Sequence, residues 1–483
     1  MPTNRIAQQK DARRARRPGR SSVFAGFAEI KPLRTYAQVS RVLEALPNLE
    51  RRRQDGIGLE NFKLDRMHAL LGAMGNPHHG QSLVHVAGSK GKGSTVEMLA
   101  ACLGGCGYGV GIYTSPHLVD VRERIRIGAE PIDESDFVRL FNTVVVAAQK
   151  IEEDFGAPSY FELLTAMALA YFAERVVDVA VIEVGLGGRL DSTNVISPML
   201  TCITHIQLEH TSLLGDTLEK VAGEKAGIFK PGVPAITVDQ DPAVLSVLRE
   251  VAETVGCPLI VLGDEVGFNK RFEADPALGP HIRVGLMSHR GDYEHMAVPI
   301  PGEHQAPNCG LALAAIDLLR ERGFEAPEVR VAEGLARTPR HGRVELVWPK
   351  PRTIIDGAHT PESIAAFVRA VGSHTRYDSM VVVFGCSQDK DIDGMLREIA
   401  RGADKIIFTQ SADNQRAADP EDLKNRYIEL TNKMAQVEPD VRSAINTAAR
   451  AVGKGDLICI TGSFYVAGEA KSLFLNKKQT TKS

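Results

Sequence analysis

The chain has 483 residues, 43% of them hydrophobic, with 57 Lys and Arg against 60 Asp and Glu; that length implies more than one domain, each able to bury a core. A formal net charge of −3 argues against a general nucleic-acid binder, and no apolar run is long enough to span a bilayer, so a soluble, cytoplasmic protein is expected. Seven scattered cysteines, none in a C-x-x-C pair, point to reduced thiols.

At the start of the chain, Arg13, Arg14, Arg16, Arg17 and Arg20 cluster with Asp11 as the one acid nearby. Residues 1–30 are read as a disordered basic tail rather than an organelle transit peptide, because apolar residues at helical spacing are lacking. The stretch from Tyr36 to Leu71 reads as helical, with Val42, Leu43 and Leu46 on one face and Phe62, Met67, Leu70 and Leu71 on another.

Ser82 to Val86 then reads as a short buried strand and Val96 to Leu103 as a helix. Between them lie Gly88, Ser89, Lys90, Gly91, Lys92, Gly93, Ser94 and Thr95. A glycine-rich turn between strand and helix, carrying a lysine and hydroxyls, is the layout of a phosphate-cradling loop. Backbone N–H groups and the helix N-terminus supply positive potential, and Lys92 adds a cation for the outer phosphates. Cys102 and Cys106 share a face of that helix, but no Cys or His pair nearby completes a metal tetrahedron, so both are read as packing residues.

Strand and helix signals alternate from there. Gly109–Tyr113, Val179–Ile182, Met199–Ile203 and Pro234–Val238 read as buried strands; Asp136–Glu152 and Tyr160–Ala173 read as helices. This predicts an α/β fold with a mainly parallel sheet flanked by helices. Residues 263–301 look irregular and more strand-like, and a helix is expected over Asn308–Arg322. The pattern restarts near Pro339–Arg343, with strand candidates at Val344–Val347, Thr353–Ile355, Met380–Phe384, Lys405–Phe408 and Leu457–Ile460. The predicted organisation is a nucleotide-binding domain over 31–338, a smaller Rossmann-like α/β domain over 339–475 and a short tail over 476–483.

Four further segments look chemically loaded. Ser115, in Thr114–Leu118 just past a strand, is placed to offer an oxygen to a hard metal, although a serine before proline also suits a helix cap. Glu183 ends a very apolar strand, where a carboxylate beside a phosphate loop suits Mg²⁺; the glycines Gly185, Gly187 and Gly188 suit a ligand or a plain loop equally. His210 follows another strand end, with Glu209 beside it, and a lone histidine is as compatible with a structural role. Lys225 lies in a small-residue helix, where spacing alone does not separate it from a surface lysine.

Together these segments resemble the bifunctional dihydrofolate synthase/folylpolyglutamate synthase family of the Mur ligase superfamily, over about Tyr36 to Phe474. Gly88–Ser94 follows that family's G-T-N-G-K-G-[ST] loop; Thr114–Leu118 matches T-S-P-H-L; Phe161–Glu162 matches F-E after Ser159 and Tyr160. Glu183–Asn194, Glu224–Ile228, Asp356–His359, Asp389–Asp391 and Gly462–Tyr465 match E-V-G-L-G-G-R-L-D-x-T-N, E-K-A-G-I, D-G-A-H, D-K-D and G-S-F-Y. The chain departs from the pattern at Ser89–Lys90 (usually Thr-Asn), Glu209 (usually Asp) and Thr360 (usually Asn).

The resemblance implies a monomeric ATP-dependent ligase that joins L-glutamate to dihydropteroate, to the glutamate tail of folates, or to both, with no nucleic-acid or membrane partner. It implies that Gly88, Gly91, Lys92, Gly93 and Ser94 hold the ATP phosphates, with Asn308, Arg343 and Asp356 reaching the nucleotide. Ser115, Glu183 and His210 would bind Mg²⁺, and Lys225, carbamylated by CO₂, a second Mg²⁺. Lys92, His210 and Lys225 would be the catalytic set; Ser159, Tyr160, Phe161, Glu162, Leu190, Asp191 and Ser192 would border the pterin-bearing substrate. The linker near Pro339–Gly342 is the expected hinge. Competing readings are another Mur-type amino-acid ligase and a nucleotide-binding regulatory protein without ligase activity.

Overall fold

The computed structural model describes residues 26–48, 64–275, 279–288, 291–412 and 414–480. Most of the expected basic tail therefore lies outside the described residues. Its last part does not: Phe27 is fully buried and its N–H donates to Glu152. The predicted helical stretch near the start is two helices, Tyr36–Ala45 and Leu64–Ala73, with residues 49–63, including Phe62, outside the described residues.

The first lobe is built on an eight-stranded sheet of β1 (Leu83–Ala87), β2 (Val110–Tyr113), β3 (Ile125–Ile127), β4 (Glu130–Pro131), β5 (Val179–Glu183), β6 (Leu200–Ile203), β7 (Ala235–Thr237) and β8 (Leu259–Val261). Their order is β4-β3-β2-β5-β1-β6-β7-β8. The six strands from β2 to β8 run parallel, and β3 and β4 extend the β2 edge antiparallel. β1, β2, β5 and β6 are buried along their whole length, which is why they read as continuous apolar runs. Helices Lys92–Gly105, Gln305–Arg320 and Glu328–Ala336 cover one face; Tyr36–Ala45, Leu64–Ala73, Glu134–Phe155 and Tyr160–Glu174 cover the other.

Residues 263–301 are more regular than their sequence suggests. β9 (Gly267–Asp275), β10 (Gly279–Ser288) and β11 (Gly291–Ala297) form an antiparallel sheet of their own. β9 has no buried residue along its length, so the apolar alternation that marks a half-buried strand is weak there. The helix predicted from Asn308 begins one turn earlier, at Gln305.

The second lobe carries a six-stranded sheet of β12 (Glu345–Pro349), β13 (Arg352–Ile355), β14 (Met380–Phe384), β15 (Lys405–Phe408), β16 (Gln436–Val437) and β17 (Leu457–Thr461), in the order β12-β13-β17-β14-β15-β16. All neighbours except β12 and β13 are parallel, with an apolar cluster on each face. Its final helix, Phe464–Thr480, runs through much of the predicted tail. Besides the linker, the lobes touch where the Pro280 carbonyl accepts from His374 Nδ1 at 2.8 Å.

Parallel α/β sheets gather ligands beyond the carboxyl ends of their strands, above all where the strand order reverses. Here β1, β2, β5 and β6 are neighbours with parallel directions, so the segments that follow them, at Gly88, Thr114, Val184 and Thr204, leave the sheet on one edge.

Candidate active site

A cavity of about 1370 Å³ lies over that edge and is closed on its far side by the second lobe. Segments after β13 (Asp356–His359), β14 (Ser387–Lys390) and β17 (Gly462–Tyr465) line it from that side. The two sheets thus present their carboxyl ends to one shared space.

The glycine-rich turn forms between β1 and helix Lys92–Gly105, where the sequence places it. Gly91 adopts φ 94° as the N-cap of helix Lys92–Gly105, a left-handed conformation that favours glycine. The Asn308 amide occupies the space a Cβ at Gly91 would take, with Cγ 2.7 Å and Nδ2 2.8 Å from that point. Asn308 is held there by its Nδ2–H, which donates to Gln305 Oε1 at 3.0 Å. The N–H groups of Ser89 and Lys90 donate to the His205 carbonyl at 3.0 and 3.1 Å, tying the loop to the segment after β6. Lys92 Nζ donates to the Gly88 carbonyl at 2.9 Å.

Glu183 is buried at the end of β5 and accepts from the Ser115 N–H at 3.1 Å. Desolvation pushes its carboxyl above the usual range, and the positive charges of Lys92 and Arg343 offset this only in part. His210, at φ 47°, has its imidazole held down to about 4 by burial, so it presents a neutral ring at working pH. Among the described residues no group of three or more His, Cys, Asp or Glu side chains stands together as a closed metal cage.

Lys225 is 1% exposed, not the surface lysine its spacing allowed. It donates to Glu209 Oε1 at 2.8 Å and to the Gly88 carbonyl at 2.9 Å. Burial holds its amine down to about 8, and Glu209 is held down to about 2 beside it.

The linker approaches the same loop. The Arg343 guanidinium fills the space beside Gly93 where a Cβ would stand, with the Glu183 carboxylate 3.5 Å from that point. His341 and Val344, either side of it, sit at φ 21° and 46°. A β-branched valine in the left-handed region is strained and persists only where its surroundings hold it. Its N–H donates to Asp356 Oδ2 at 2.9 Å, while Ala358 N–H donates to Oδ1 at 2.8 Å.

At another part of the cavity stand Phe161, Leu186, Leu190, Asp191 and Ser192. Ser159 caps helix Tyr160–Glu174 in a reciprocal capping box with Glu162, and Glu162 also accepts from Arg66 Nε at 2.9 and 3.1 Å. Asp191 accepts from Leu186 N–H at 2.8 Å and from Thr193 N–H at 3.0 Å.

Of the residues expected at the site, Gly91, Lys92, Gly93, Ser94, Ser115, Ser159, Phe161, Glu162, Glu183, Leu190, Asp191, Ser192, His210, Asn308, Arg343 and Asp356 all line this cavity. Three do not. Gly88 contributes its carbonyl to two lysines, Lys225 lies beneath the surface, and Tyr160 is buried in the core with Arg124 over its ring at 5.4 Å. The correction for Tyr160 follows from helix geometry, which turns it away from the face that Phe161 presents. Arg66 went unnoticed in the sequence, although a cation beside the apolar positions Met67 and Leu70 is a signal that something charged faces it. Cys102, Cys106 and the other cysteines are free thiols.

The sequence matches the Mur ligase middle domain over residues 86–316 and the Mur ligase glutamate ligase domain over 342–464. It is 34% identical over 412 residues to a dihydrofolate synthase/folylpolyglutamate synthase of Bacillus subtilis, covering 84% of this chain and 94% of the relative. It is 33% identical over 443 residues to one of Mycobacterium tuberculosis, covering 85% and 90%. Its fold matches the M. tuberculosis folylpolyglutamate synthase complexed with ADP and AMPPCP at a TM-score of 0.81 and 31% identity, over 91% of this chain and 98% of that one. It matches E. coli FolC in complex with DHPP and ADP at 0.79 and 28% identity, over 93% and 100%.

Proposed function

This chain belongs to the dihydrofolate synthase/folylpolyglutamate synthase family of Mur ligases, and from that premise we propose how its residues carry out ATP-dependent glutamate ligation. The enzyme joins L-glutamate to a pterin-bearing acid, dihydropteroate or a folate, with ATP as the energy source. The observation that carries this reading is the convergence of Lys92, Glu183, His210, Arg343 and Asp356 on one cavity between two lobes.

A carboxylate is a poor acylating agent. Transfer of the ATP γ-phosphoryl group to it gives an acyl phosphate and ADP; the glutamate amine then attacks the acyl carbon and phosphate leaves, forming the amide. The loop from Gly88 to Ser94 cradles the phosphates through backbone N–H groups, and Lys92 moves from the Gly88 carbonyl to the outer phosphate. Asn308 holds the loop against Gly91, while Arg343 and Asp356 engage the nucleotide from the linker and second lobe. An acyl phosphate hydrolyses in water, so closure of the lobes about Pro339–Gly342 protects it.

Ser115, Glu183 and His210 fit a Mg²⁺ ion. Mg²⁺ needs few protein ligands when substrate phosphates complete its shell, and the buried, incompletely compensated carboxyl of Glu183 favours a cation. Bound there, Mg²⁺ would neutralise charge on the transferring phosphoryl group. Lys225 fits carbamylation, because burial raises its share of neutral, nucleophilic amine; a carbamate beside Glu209 would then need a second cation. Phe161, Leu190, Asp191 and Ser192 would border the pterin, with Ser159 and Glu162 fixing the helix start beneath it.

Comparing ADP release with dihydropteroate and with tetrahydrofolate as acceptors, each with glutamate, tests the function and its substrate range. Acceptor-dependent turnover with at least one of them is expected; turnover instead with a UDP-linked peptide precursor would move the chain to another branch of Mur ligases.

A further inference from the structure

β1 runs Leu-Val-His-Val-Ala through the middle of the first sheet, between β5 and β6. His85 is 0% exposed there, in a strand whose other residues are all apolar. Burying an imidazole is unfavourable unless it is hydrogen-bonded. Burial holds His85 down to about 3, so it stays neutral. Its Nδ1 has no hydrogen-bond partner, and its Nε2 lies 2.8 Å from Thr193 Oγ1. The Thr193 hydroxyl donates to Asp191 Oδ1 at 2.5 Å.

A hydroxyl has one hydrogen. Because Thr193 gives it to Asp191, its oxygen accepts from His85, which therefore carries its proton on Nε2. The result is a one-way chain, His85 to Thr193 to Asp191, from the sheet's centre to the cavity wall. We infer that His85 and Thr193 are positioning residues for the pterin-bearing substrate, holding the Asp191 carboxylate in its orientation and its acceptor state. Thr193 fixes Oδ1 through both its N–H and its hydroxyl, and Leu186 N–H fixes Oδ2. With Oδ1 occupied by both Thr193 donors, the remaining lone pair of Oδ2 is set to accept an N–H of a pterin edge without reorganising. The inference rests on the reading that Asp191 borders the pterin.

The test uses the full-length enzyme with tetrahydrofolate or dihydropteroate as the varied substrate, and compares Asp191→Asn, Thr193→Val, Thr193→Ser, His85→Leu and His85→Gln. Loss of one hydrogen bond from this chain predicts a KM for the pteridine substrate raised about tenfold in Thr193→Val and His85→Leu. The KM for ATP and kcat should stay within about threefold, and Thr193→Ser and His85→Gln, which keep the donors, should restore wild-type values. If Asp191→Asn raises the pteridine KM but folded Thr193→Val and His85→Leu do not, the chain is overturned while the pocket stands. If Asp191→Asn itself has no effect, the pocket reading falls and the inference with it. Equal rises in the KM for ATP and for pteridine would mark a purely structural role and also overturn it. Should His85→Leu fail to fold by thermal unfolding, Thr193→Val against Thr193→Ser decides.

Discussion

Lys92 and Lys225 donate to the same acceptor: each Nζ lies 2.9 Å from the carbonyl oxygen of Gly88. One lysine opens the phosphate-loop helix and the other comes from helix Leu218–Ala226. Glu209, 2.8 Å from Lys225, and the Glu183 carboxylate near Lys92 offset the repulsion between the two ammonium groups. A phosphate entering the loop offers Lys92 a charged acceptor in place of a neutral one, which is the stronger bond. On the proposed function, the carbonyl is the resting partner that Lys92 leaves when phosphate binds.

Replacing Lys92 with methionine removes that mobile cation and little else. Ligation measured as ADP release should fall by about 10²–10³-fold, the usual scale for losing one stabiliser of developing charge, with the thermal unfolding temperature nearly unchanged. Near-normal ADP release by the folded variant would show that the loop does its work without this lysine.

With its amine held down to about 8, Lys225 is roughly one-tenth neutral at pH 7 and mostly neutral by pH 9. Carbamate formation needs the neutral amine and CO₂. Enzyme depleted of CO₂ should regain activity on adding bicarbonate, and ¹³C-labelled bicarbonate should give a carbamate NMR signal that Lys225→Arg lacks. Bicarbonate-independent turnover without such a signal would leave Lys225 as an ion-pair partner only.

Asp356 is pushed up to about 6 by burial. Its folded value lies above the unfolded one, so its ionisation costs stability as pH rises from about 4 through 6, and the neutral acid dominates below 6. On the proposed reading, in which Asp356 engages the nucleotide, its neutral carboxyl is a poorer acceptor, so the KM for ATP should climb as pH falls below about 6 and level off above 7. Asp356→Asn should show a high KM without that pH step, and retention of the step would assign it to another group.

A Cβ at Gly185 would stand 2.5 Å from Phe161 Cζ and 2.8 Å from Cε1. Gly185→Ala must therefore push the Phe161 ring toward the cavity or toward Tyr113, whose ring centroid is 5.8 Å away. The expected result is a KM for the pteridine substrate raised about tenfold, the size of a lost aromatic contact, with the KM for ATP unchanged. An ATP effect of equal size would place Phe161 outside the acceptor pocket.

Glu97 and Arg126 form an ion pair with side-chain exposures of 4% and 3%. Removing one partner strands a buried charge, so Glu97→Ala should cost about 3–5 kcal/mol of stability, read from urea unfolding. Glu97→Leu combined with Arg126→Met should recover most of it, and failure of the double variant to do so would mean that Arg126 has another essential partner.

The central strands were legible in the sequence because strands buried on both faces read as unbroken apolar runs, and the phosphate loop because its backbone conformation demands glycine at set positions. Ser115, Glu183 and His210 were legible as candidates because Glu183 ends such a strand and the other two lie in segments that follow one. β9 to β11 were not: their exposed faces carry Arg271, Glu273 and Arg283 in ion pairs, so side-chain alternation gives no clean period. The turn of helix that points Phe161 into the cavity and Tyr160 into the core was likewise invisible, since neighbouring residues differ there only by an angle.

The sequence by itself determined the two α/β lobes, the phosphate loop and the family's set of motifs, because these depend on local periodicity, local backbone geometry and residue type. Tertiary structure alone decided that Lys225 is buried against Glu209, that Arg66 meets Glu162, that Arg343 reaches back to Gly93, and that His85 reaches Asp191 through Thr193. These pairs join residues far apart along the chain or on different strands. Strand order and lobe packing bring them together, and burial then sets their charge states, so one-dimensional spacing carries no trace of either.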